Sequence, residues 1–282
     1  MKKLYTYEKI VITAASAVLL AFASCLPAQS AGNNLIIKGS TTVLPIAQIA
    51  AEEFMDKNPK TTISVQGGGS GVGIASLIDK TADIADSSRK MKAGEIAKAK
   101  ASGVNPYENV IAVDGIAVVV HPSNPVNNLT REQIKAIYTG KISSWSELGG
   151  KKAKIVVVSR DTSSGTFESF YELALDKEKV RPDALTTASN QAGAQIVGQT
   201  PGAIAYVGLG YITPKVKAIE VNGIKCTEQN ILNDKYPLSR PLFMYTDGVP
   251  AGSVKRFIDF VKGEEGRTLI REAGFIPPKG KK

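Results

Sequence analysis

The chain has 282 residues and a formal net charge of +9, with one histidine, two cysteines and 6% aromatic residues. One histidine and, after the first 31 residues, Cys226 alone are too few for a transition-metal site or a disulfide framework, and no cofactor is expected. Basic runs are not interleaved with aromatic residues, so the charge favours a solvated, lysine-rich surface over a nucleic-acid groove.

The N-terminus has the layout of a secretory signal peptide. Three lysines precede an uncharged stretch at positions 10–25, which is shorter than the roughly 20 residues of a membrane-spanning helix. Cleavage is expected near Ser30 or Ala31, so residues 1–31 are assigned to the signal and the mature chain to the periplasm. Lipid attachment at Cys25 is the alternative. Without the three lysines and one glutamate of the signal, the formal net charge falls from +9 to +7.

Strands and helices alternate along the mature chain. β-rich segments are each followed by a loop and then by apolar residues at helical spacing. The predicted strands are 35–38, 62–66, 82–85 and 154–158, and the predicted helices are 43–57, a segment containing Ile74, Leu77 and Ile78, 90–100, and a segment after Thr166. This alternation favours an α/β fold with a parallel sheet and helices on its faces.

Two further segments are predicted to be long extended crossings. Asn109–His121 is too long and too apolar for an edge strand, and Asp114-Gly115 lies in its middle. Pro237–Tyr245 has the same character. Such strands are expected to leave one domain and enter another, while Val254–Ala273 is predicted to be a charged amphipathic helical stretch that returns to the surface.

Four strand-to-helix loops carry hydroxyl groups. They contain Ser40-Thr41-Thr42, Ser70 within the glycine-rich segment QGGGSGVGIASL, Ser87-Ser88, and Ser164-Gly165-Thr166. In an open α/β sheet these loops meet beyond the carboxyl ends of the strands, where helix N-termini present unpaired N–H groups and partial positive charge. Any one of these serines or threonines alone is typical of a helix cap. Their coincidence, with Arg89 and Arg160 beside them in sequence, predicts an oxyanion receptor.

Other chemistries lack the residues that they need. The stretch Gly67–Gly73 fits neither the dinucleotide-binding pattern nor a P-loop, because no Gly-Lys-Ser/Thr follows. A Ser-His-Asp hydrolase would have to use His121, and Ser70 lacks the spacing of a nucleophile elbow. Enzymatic activity is therefore not expected.

Nine segments carry a family resemblance over nearly all of the mature chain. They are GSTTVLPI (39–46), QGGGSGVGI (66–74), ADIADSSRKM (82–91), VDGIAVVVHP (113–122), IYTGKISSWSELGG (137–150), SRDTSSGTF (159–167), GAIAYVGLGYI (202–212), YPLSRPLFMYT (236–246) and FIDFVKGEEGRTLIREAGFIP (257–277). In this order and spacing they resemble the periplasmic phosphate-binding proteins of bacterial phosphate ABC transporters, in the shorter branch that has a Gly-Ser-Thr loop.

The resemblance implies a two-domain periplasmic binding fold of type II (Venus flytrap), with mixed sheets, helices on both faces and two hinge crossings. Domain I would comprise residues 32–113 and 244–282, and domain II residues 114–243. The resemblance also implies a monomer that binds phosphate in the interdomain cleft and delivers it to the permease subunits of an ABC importer. The implied phosphate-binding residues are Ser40, Thr41, Thr42, Ser70, Ser88, Arg89, Arg160, Ser164, Gly165 and Thr166.

One position departs from the family pattern. Longer members have an aspartate in the third loop that accepts the proton of hydrogen phosphate, and Ser88 occupies that position here. Sulfate has no such proton near neutral pH, so a carboxylate acceptor discriminates between the two anions. Asp86, Asp114 and Asp161 are the candidate acceptors. Each has a simpler structural alternative: Asp86 faces away from the ligand, Asp114 only caps the hinge turn, or Asp161 only orients Arg160.

Three rival functions stay open from the sequence. In the first, the same hydroxyl, backbone and arginine donors bind sulfate, molybdate or another tetrahedral oxyanion. A secreted phosphoesterase would use Ser70 or Ser164 as its nucleophile. An adhesion or matrix-associated protein would keep the fold without tight binding.

Overall fold

A computed structural model describes residues 33–279. The predicted signal peptide and the alternative lipidation at Cys25 lie outside these residues. The strands are β1 (Asn33–Gly39), β2 (Thr61–Gly67), β3 (Ile84–Ser87), β4 (Pro106–Val120), β5 (Asn128–Leu129), β6 (Val156–Arg160), β7 (Leu185–Thr187), β8 (Ala203–Gly208), β9 (Lys217–Ala218), β10 (Glu220–Val221) and β11 (Ser239–Asp247). The α-helices are α1 (Leu44–Lys57), α2 (Ser70–Ile78), α3 (Ala93–Ala101), α4 (Arg131–Thr139), α5 (Gly165–Leu173), α6 (Asn190–Gln199), α7 (Glu228–Leu232), α8 (Gly252–Lys262) and α9 (Glu264–Glu272).

Most strands belong to one mixed sheet, in the order β2-β1-β3-β11-β4-β8-β6-β7, with β9 paired to β4. The pairs β1–β3, β6–β7 and β6–β8 are parallel, whereas β11 runs antiparallel to both β3 and β4, and β4 runs antiparallel to β8. The predicted alternation of strand, loop and helix is confirmed at β1–α1, β2–α2, β3–α3 and β6–α5. The α/β class is therefore confirmed.

The two predicted crossings are neighbouring strands in the middle of this sheet. The first half of β4 pairs with β11, from Pro106 opposite Asp247 to Gly115 opposite Ser239. The second half of β4 pairs instead with β8. Within the β4–β11 pair, Arg240 lies directly opposite Asp114. The described residues from Asn34 onward form one compact unit, so the division into two domains stays a prediction.

Both faces of β4 are covered, which explains its continuous apolar sequence. Ile116, Val118 and Val120 pack into one buried cluster with residues of α4 and α5. Ala117 and Val119 point to the other face and join a cluster that includes residues of α1, α8 and α9. A smaller cluster lies between α2, α3 and β11. In residues 33–279 no helix is long and apolar enough to cross a membrane.

The helical stretch predicted over 254–273 is confirmed, and it consists of two helices, α8 and α9, that meet at Gly263. Gly263 has φ −70° and ψ 178°, which leaves the helical region. A side chain at Gly266 would overlap the carbonyl oxygens of Phe260 and Val261, so the second helix approaches the end of the first closely. The turn at Gly263 therefore divides the segment into two short amphipathic helices.

Candidate anion-binding site

The four predicted hydroxyl loops come together at the carboxyl ends of the parallel strands. The hydroxyl oxygens of Thr42 and Thr166 are 2.8 Å apart, although 124 positions separate them in the chain. Ser70 Oγ accepts a hydrogen bond of 3.0 Å from the backbone N–H of Ser88 and lies 3.4 Å from Ser88 Oγ. All four residues are buried. We refer to the hydroxyl groups of these four residues and Thr41 as the hydroxyl cluster.

Two serines beside the cluster accept hydrogen bonds from the backbone, Ser40 in the turn before α1 and Ser164 as the cap of α5. Ser40 Oγ accepts from the backbone N–H groups of Thr42 and Val43, at 3.1 and 3.4 Å. Ser164 Oγ accepts from Phe167 N at 3.2 Å and caps α5. Because each hydroxyl accepts through its oxygen, its hydrogen is left to donate.

Gly165 opens α5 at the point where the loops approach most closely. A Cβ atom at this position would lie 2.6 Å from Ser88 Oγ and would overlap Ser70 Oγ. Glycine at this position therefore allows the backbone of the fourth loop to lie against the third loop and the glycine-rich second loop. Around that second loop, Gly71 N donates to Ser163 O at 2.9 Å, and Ser163 Oγ donates to Gly68 O at 3.1 Å.

Arg160 brings a buried positive charge to the cluster. Its Nε donates to Thr187 O at 3.1 Å, and its Nη2 donates to Ala188 O at 3.0 Å and to Thr41 Oγ1 at 3.3 Å. Its Nη1 is buried and has no partner among the described residues. Burial lowers the pKa of Arg160, and the neighbouring Asp161 opposes that effect. The guanidinium is thus held rigidly on one side and keeps a free donor on the other.

The structure does not bring Arg89 into the cluster. Its guanidinium forms a two-pronged ion pair with Glu95, at 2.7 and 2.8 Å, and also donates to Lys90 O. Burial raises the pKa of Glu95, but the hydrogen bond and charge of Arg89 outweigh it, so the net pKa is lowered. Arg89 is therefore committed to the start of α3.

A second arginine at the cluster, Arg240, was not predicted. Its Nε and Nη2 donate to Asp114 Oδ2 at 3.0 and 2.8 Å, and its Nη2 also lies 3.0 Å from Thr166 Oγ1 and 3.3 Å from Thr42 Oγ1. Its Nη1 donates to Gly165 O at 3.1 Å. The available signal was an arginine within an otherwise apolar predicted crossing, PLSRPLFMY.

The three candidate proton acceptors differ in how their oxygens are engaged. Asp114 accepts from Arg240 and from Leu209 N, and burial raises its pKa against the opposing charge of Arg240. Asp161 Oδ1 accepts from Ser163 N and Oγ, while its Oδ2 lies 3.9 Å from Arg160 Nη2. Asp86 Oδ1 is buried without a partner among the described residues. The identity of the proton acceptor stays a prediction.

Asp86 is expected to make the protein less stable as the pH rises. Its side chain is 1% exposed, and burial raises its pKa well above the usual value. From about pH 4, the ordinary aspartate pKa, up to the raised folded-state pKa, the unfolded chain releases this proton while the folded protein keeps it. The free energy of unfolding therefore falls through that window, by at most about 1.4 kcal/mol per pH unit.

The variant Asp86→Asn removes this titration, so its advantage over wild type should grow from about pH 4 upward. Urea unfolding curves collected at pH 4, 5, 6 and 7 measure the difference, and Asp56→Asn, on the exposed side of α1, controls for the loss of a surface carboxylate. Parallel pH profiles for wild type and Asp86→Asn would contradict the prediction.

The described residues contain no group of three or more His, Cys, Asp or Glu side chains that could hold a metal ion. The only histidine, His121, is bonded through Nδ1 to Ser123 Oγ at 2.8 Å, and both residues precede β5. Within residues 33–279, neither Ser70 nor Ser164 has a histidine or carboxylate among its hydrogen-bond partners. The arrangement supplies donors for an anion rather than a base for a nucleophile.

Comparisons with known proteins agree with this arrangement. Residues 26–265 match the PBP superfamily domain. The chain is 36% identical over 251 residues to the phosphate-binding protein PstS of Bacillus subtilis, covering 88% of this chain and 82% of that protein. It is 32% identical over 252 residues to PstS of Borreliella burgdorferi, covering 85% of this chain and 88% of that protein.

Two solved structures share the fold at similar identity. A protein described as a phosphate ABC transporter substrate-binding protein from Clostridium perfringens, solved with bound phosphate, has a TM-score of 0.82 and 37% identity, covering 88% of this chain and 100% of that chain. An ABC-type phosphate transport receptor from Vibrio cholerae has a TM-score of 0.72 and 38% identity, covering 86% of this chain and 100% of that chain. The predicted periplasmic binding fold is thus confirmed.

Proposed function

The chain belongs to the PBP superfamily and, within it, to the family of PstS phosphate-binding proteins, and we propose from this that it binds inorganic phosphate and delivers it to the permease of an ABC importer. The proposed ligands are the donors that converge near Arg160. They are Arg160 itself and Ser40, Thr41, Thr42, Ser70, Ser88, Ser164, Gly165 and Thr166. Arg89 is left out because its guanidinium is paired with Glu95.

The observation that carries this proposal is the unpartnered Nη1 of Arg160 beside the hydroxyl cluster. A buried donor without a partner costs about 1–3 kcal/mol, and more for a charged group. An anion oxygen would satisfy it, while neutral hydroxyl and backbone donors would replace the rest of the hydration shell. Phosphate fits because it is compact, tetrahedral and doubly charged over much of the neutral range.

The proposed anion position lies between the two predicted domains. Domain I, residues 32–113 and 244–282, would contribute the loops with Thr41, Ser70 and Ser88, and domain II, residues 114–243, would contribute Arg160 and the start of α5. The hydrogen bonds between Ser163 and the glycine loop support a closed arrangement of these loops. Closure around the anion would give the permease a distinct state to recognise.

We further propose that the protein acts outside the cytoplasm as a monomer, binds no nucleic acid and catalyses no reaction. The last point is supported by the hydrogen-bond partners of Ser70 and Ser164, which include no general base in the part of the chain that the structure describes. A secreted phosphoesterase predicts turnover of a chromogenic phosphoester that is lost on Ser70→Ala or Ser164→Ala. No turnover is expected.

Titration calorimetry tests the proposed function. Protein from residue 32 onward is unfolded and refolded to strip bound anion, then titrated separately with phosphate and sulfate. One-to-one phosphate binding that equimolar sulfate does not disturb is expected, and it would imply a carboxylate acceptor. Equal or preferential sulfate binding would reassign the site to another oxyanion, and no binding of either anion would contradict the proposal.

A further inference from the structure

A fifth segment, Thr187–Asn190, also contacts the hydroxyl cluster, and it was not predicted from the sequence. Thr187 and Ala188 supply the carbonyl oxygens that hold Arg160. Asn190, the first residue of α6, is 0% exposed. Its Nδ2 donates to Thr41 Oγ1 at 3.2 Å and to Thr42 Oγ1 at 3.0 Å.

The orientation of the Asn190 amide is determined by its other end. Its Oδ1 accepts a hydrogen bond of 3.2 Å from the backbone N–H of Gly208. A backbone N–H only donates, so the oxygen must face Gly208 and the NH₂ group must face the threonines. Asn190 therefore acts on Thr41 and Thr42 as a donor.

This donation restricts what the threonine hydroxyls can do. A hydroxyl has one hydrogen and two lone pairs. Thr41 Oγ1 accepts hydrogen bonds from Asn190 Nδ2 and Arg160 Nη2, and neither nitrogen can accept a hydrogen bond in return. Both lone pairs are then occupied, and the Thr41 hydrogen is left to donate to a ligand.

The same reasoning extends to the neighbouring pair. Thr42 Oγ1 accepts a hydrogen bond from Asn190 Nδ2. Arg240 Nη2 has two hydrogens, and one of them is bound by Asp114 Oδ2, so the other goes to Thr166 Oγ1 at 3.0 Å rather than to Thr42 Oγ1 at 3.3 Å. When Thr42 donates to Thr166, both lone pairs of Thr166 Oγ1 are occupied and the Thr166 hydrogen is free to donate to a ligand. When Thr166 donates to Thr42, both lone pairs of Thr42 Oγ1 are occupied and the Thr42 hydrogen is free instead. Either way, this side of the site presents O–H donors outward.

We propose that Asn190 is a positioning residue that sets Thr41 and one member of the Thr42–Thr166 pair as hydrogen-bond donors, so that this side of the site favours ligand oxygens that carry no proton. The inference rests on the proposed function. It predicts preference for the phosphate dianion over the monoanion, because a ligand O–H on this side would face a protein O–H. It also requires the ligand proton to face another part of the site.

Two variants of Asn190 test the inference by phosphate titration calorimetry between pH 5 and pH 8. Asn190→Ala removes the donor, and affinity is expected to fall about tenfold, as for one lost hydrogen bond to a polar site. Asn190→Asp offers an acceptor in its place, draws the threonine hydrogens away from the ligand and adds a negative charge. A fall of about a hundredfold is expected at pH 8.

The pH dependence separates positioning from a merely structural role. As the pH falls and the new carboxyl group takes up a proton, the affinity of Asn190→Asp should recover relative to Asn190→Ala. Asn124→Asp is the matched control, since Asn124 is also buried but uses only its Oδ1, to accept from Val126 N at 3.0 Å, and a carboxylate can do the same. Thermal unfolding confirms that each variant is folded.

The outcomes distinguish this inference from the proposed function. Failure of the wild-type protein to bind phosphate would contradict the proposed function, and the inference with it. Wild-type binding with unchanged affinity in Asn190→Ala, or with equal losses in Asn190→Ala and Asn190→Asp at every pH, would overturn the inference alone. If Asn190→Asp fails to fold, unchanged affinity in Asn190→Ala still overturns it, and a tenfold loss with a reduced preference for the dianion supports it.

Discussion

Replacing Arg160 by methionine is expected to weaken phosphate binding about a thousandfold. Arg160 is the one proposed ligand with a full positive charge, and its unpartnered Nη1 is buried beside the hydroxyl cluster. Truncating one member of a buried, hydrogen-bonded charge pair costs about 2–5 kcal/mol, and about 4 kcal/mol corresponds to a factor of a thousand in the dissociation constant. Titration calorimetry of the wild type and Arg160→Met at low and moderate salt measures this loss of affinity.

Two further variants make the Arg160 result specific. Arg131→Met removes an exposed guanidinium that pairs with Asp176, and it should bind phosphate as the wild type does. Arg160→Lys keeps the charge but cannot reproduce the bonds to Thr187 O and Ala188 O, so an intermediate loss is expected. Wild-type affinity in Arg160→Met, with the protein folded, would remove Arg160 from the site.

The second large effect is expected from Gly165→Ala. A methyl group at this position would overlap Ser70 Oγ and lie 2.6 Å from Ser88 Oγ. These hydroxyls cannot retreat freely, because Ser70 Oγ accepts from Ser88 N. The loops must therefore separate, which removes several hydrogen bonds to the anion. Three lost bonds at about 1.5 kcal/mol each correspond to roughly a thousandfold loss of affinity.

Gly94→Ala is the matched control for this substitution. Gly94 also lies in the first turn of a helix, but a Cβ atom there has nothing within 4 Å. That variant should keep its affinity and gain slightly in unfolding free energy, because alanine restricts the unfolded chain. Calorimetry and urea unfolding of both variants give the comparison. Equal phosphate affinity in Gly165→Ala and wild type would show that the ligand-bound loops do not meet at Gly165.

The parts of the site that were predictable are those encoded locally. A strand followed by glycine, serine or threonine and then a helix identifies a loop such as Ser40–Thr42 without any knowledge of the rest of the chain. Parallel pairing then carries such loops to one edge of the sheet. Arg160 was found for the same reason, because it ends β6 directly before the loop that caps α5.

The residues that were missed reach the site through pairing between distant segments. Arg240 lies opposite Asp114, 126 positions earlier, and its one local signal, a charged residue in an apolar segment, does not say which residues it meets. Asn190 begins a helix whose preceding strand, β7, has only three residues and gives no clear periodic signal. Arg89 shows the opposite case: it stands beside a hydroxyl loop, but Glu95, six positions away, takes its guanidinium.

Among residues 33–279, the last strand in the sequence, β11, lies in the centre of the sheet. Since β11 is bonded to β3 on one side and to β4 on the other, both strands expose an unpaired edge until residues 239–247 have been made. Native pairing must then close loops of well over a hundred residues, which slows folding and prolongs the exposure of aggregation-prone edges. A chain that ends before β11 would therefore lack the central strand that joins β3 to β4, and not merely an edge strand.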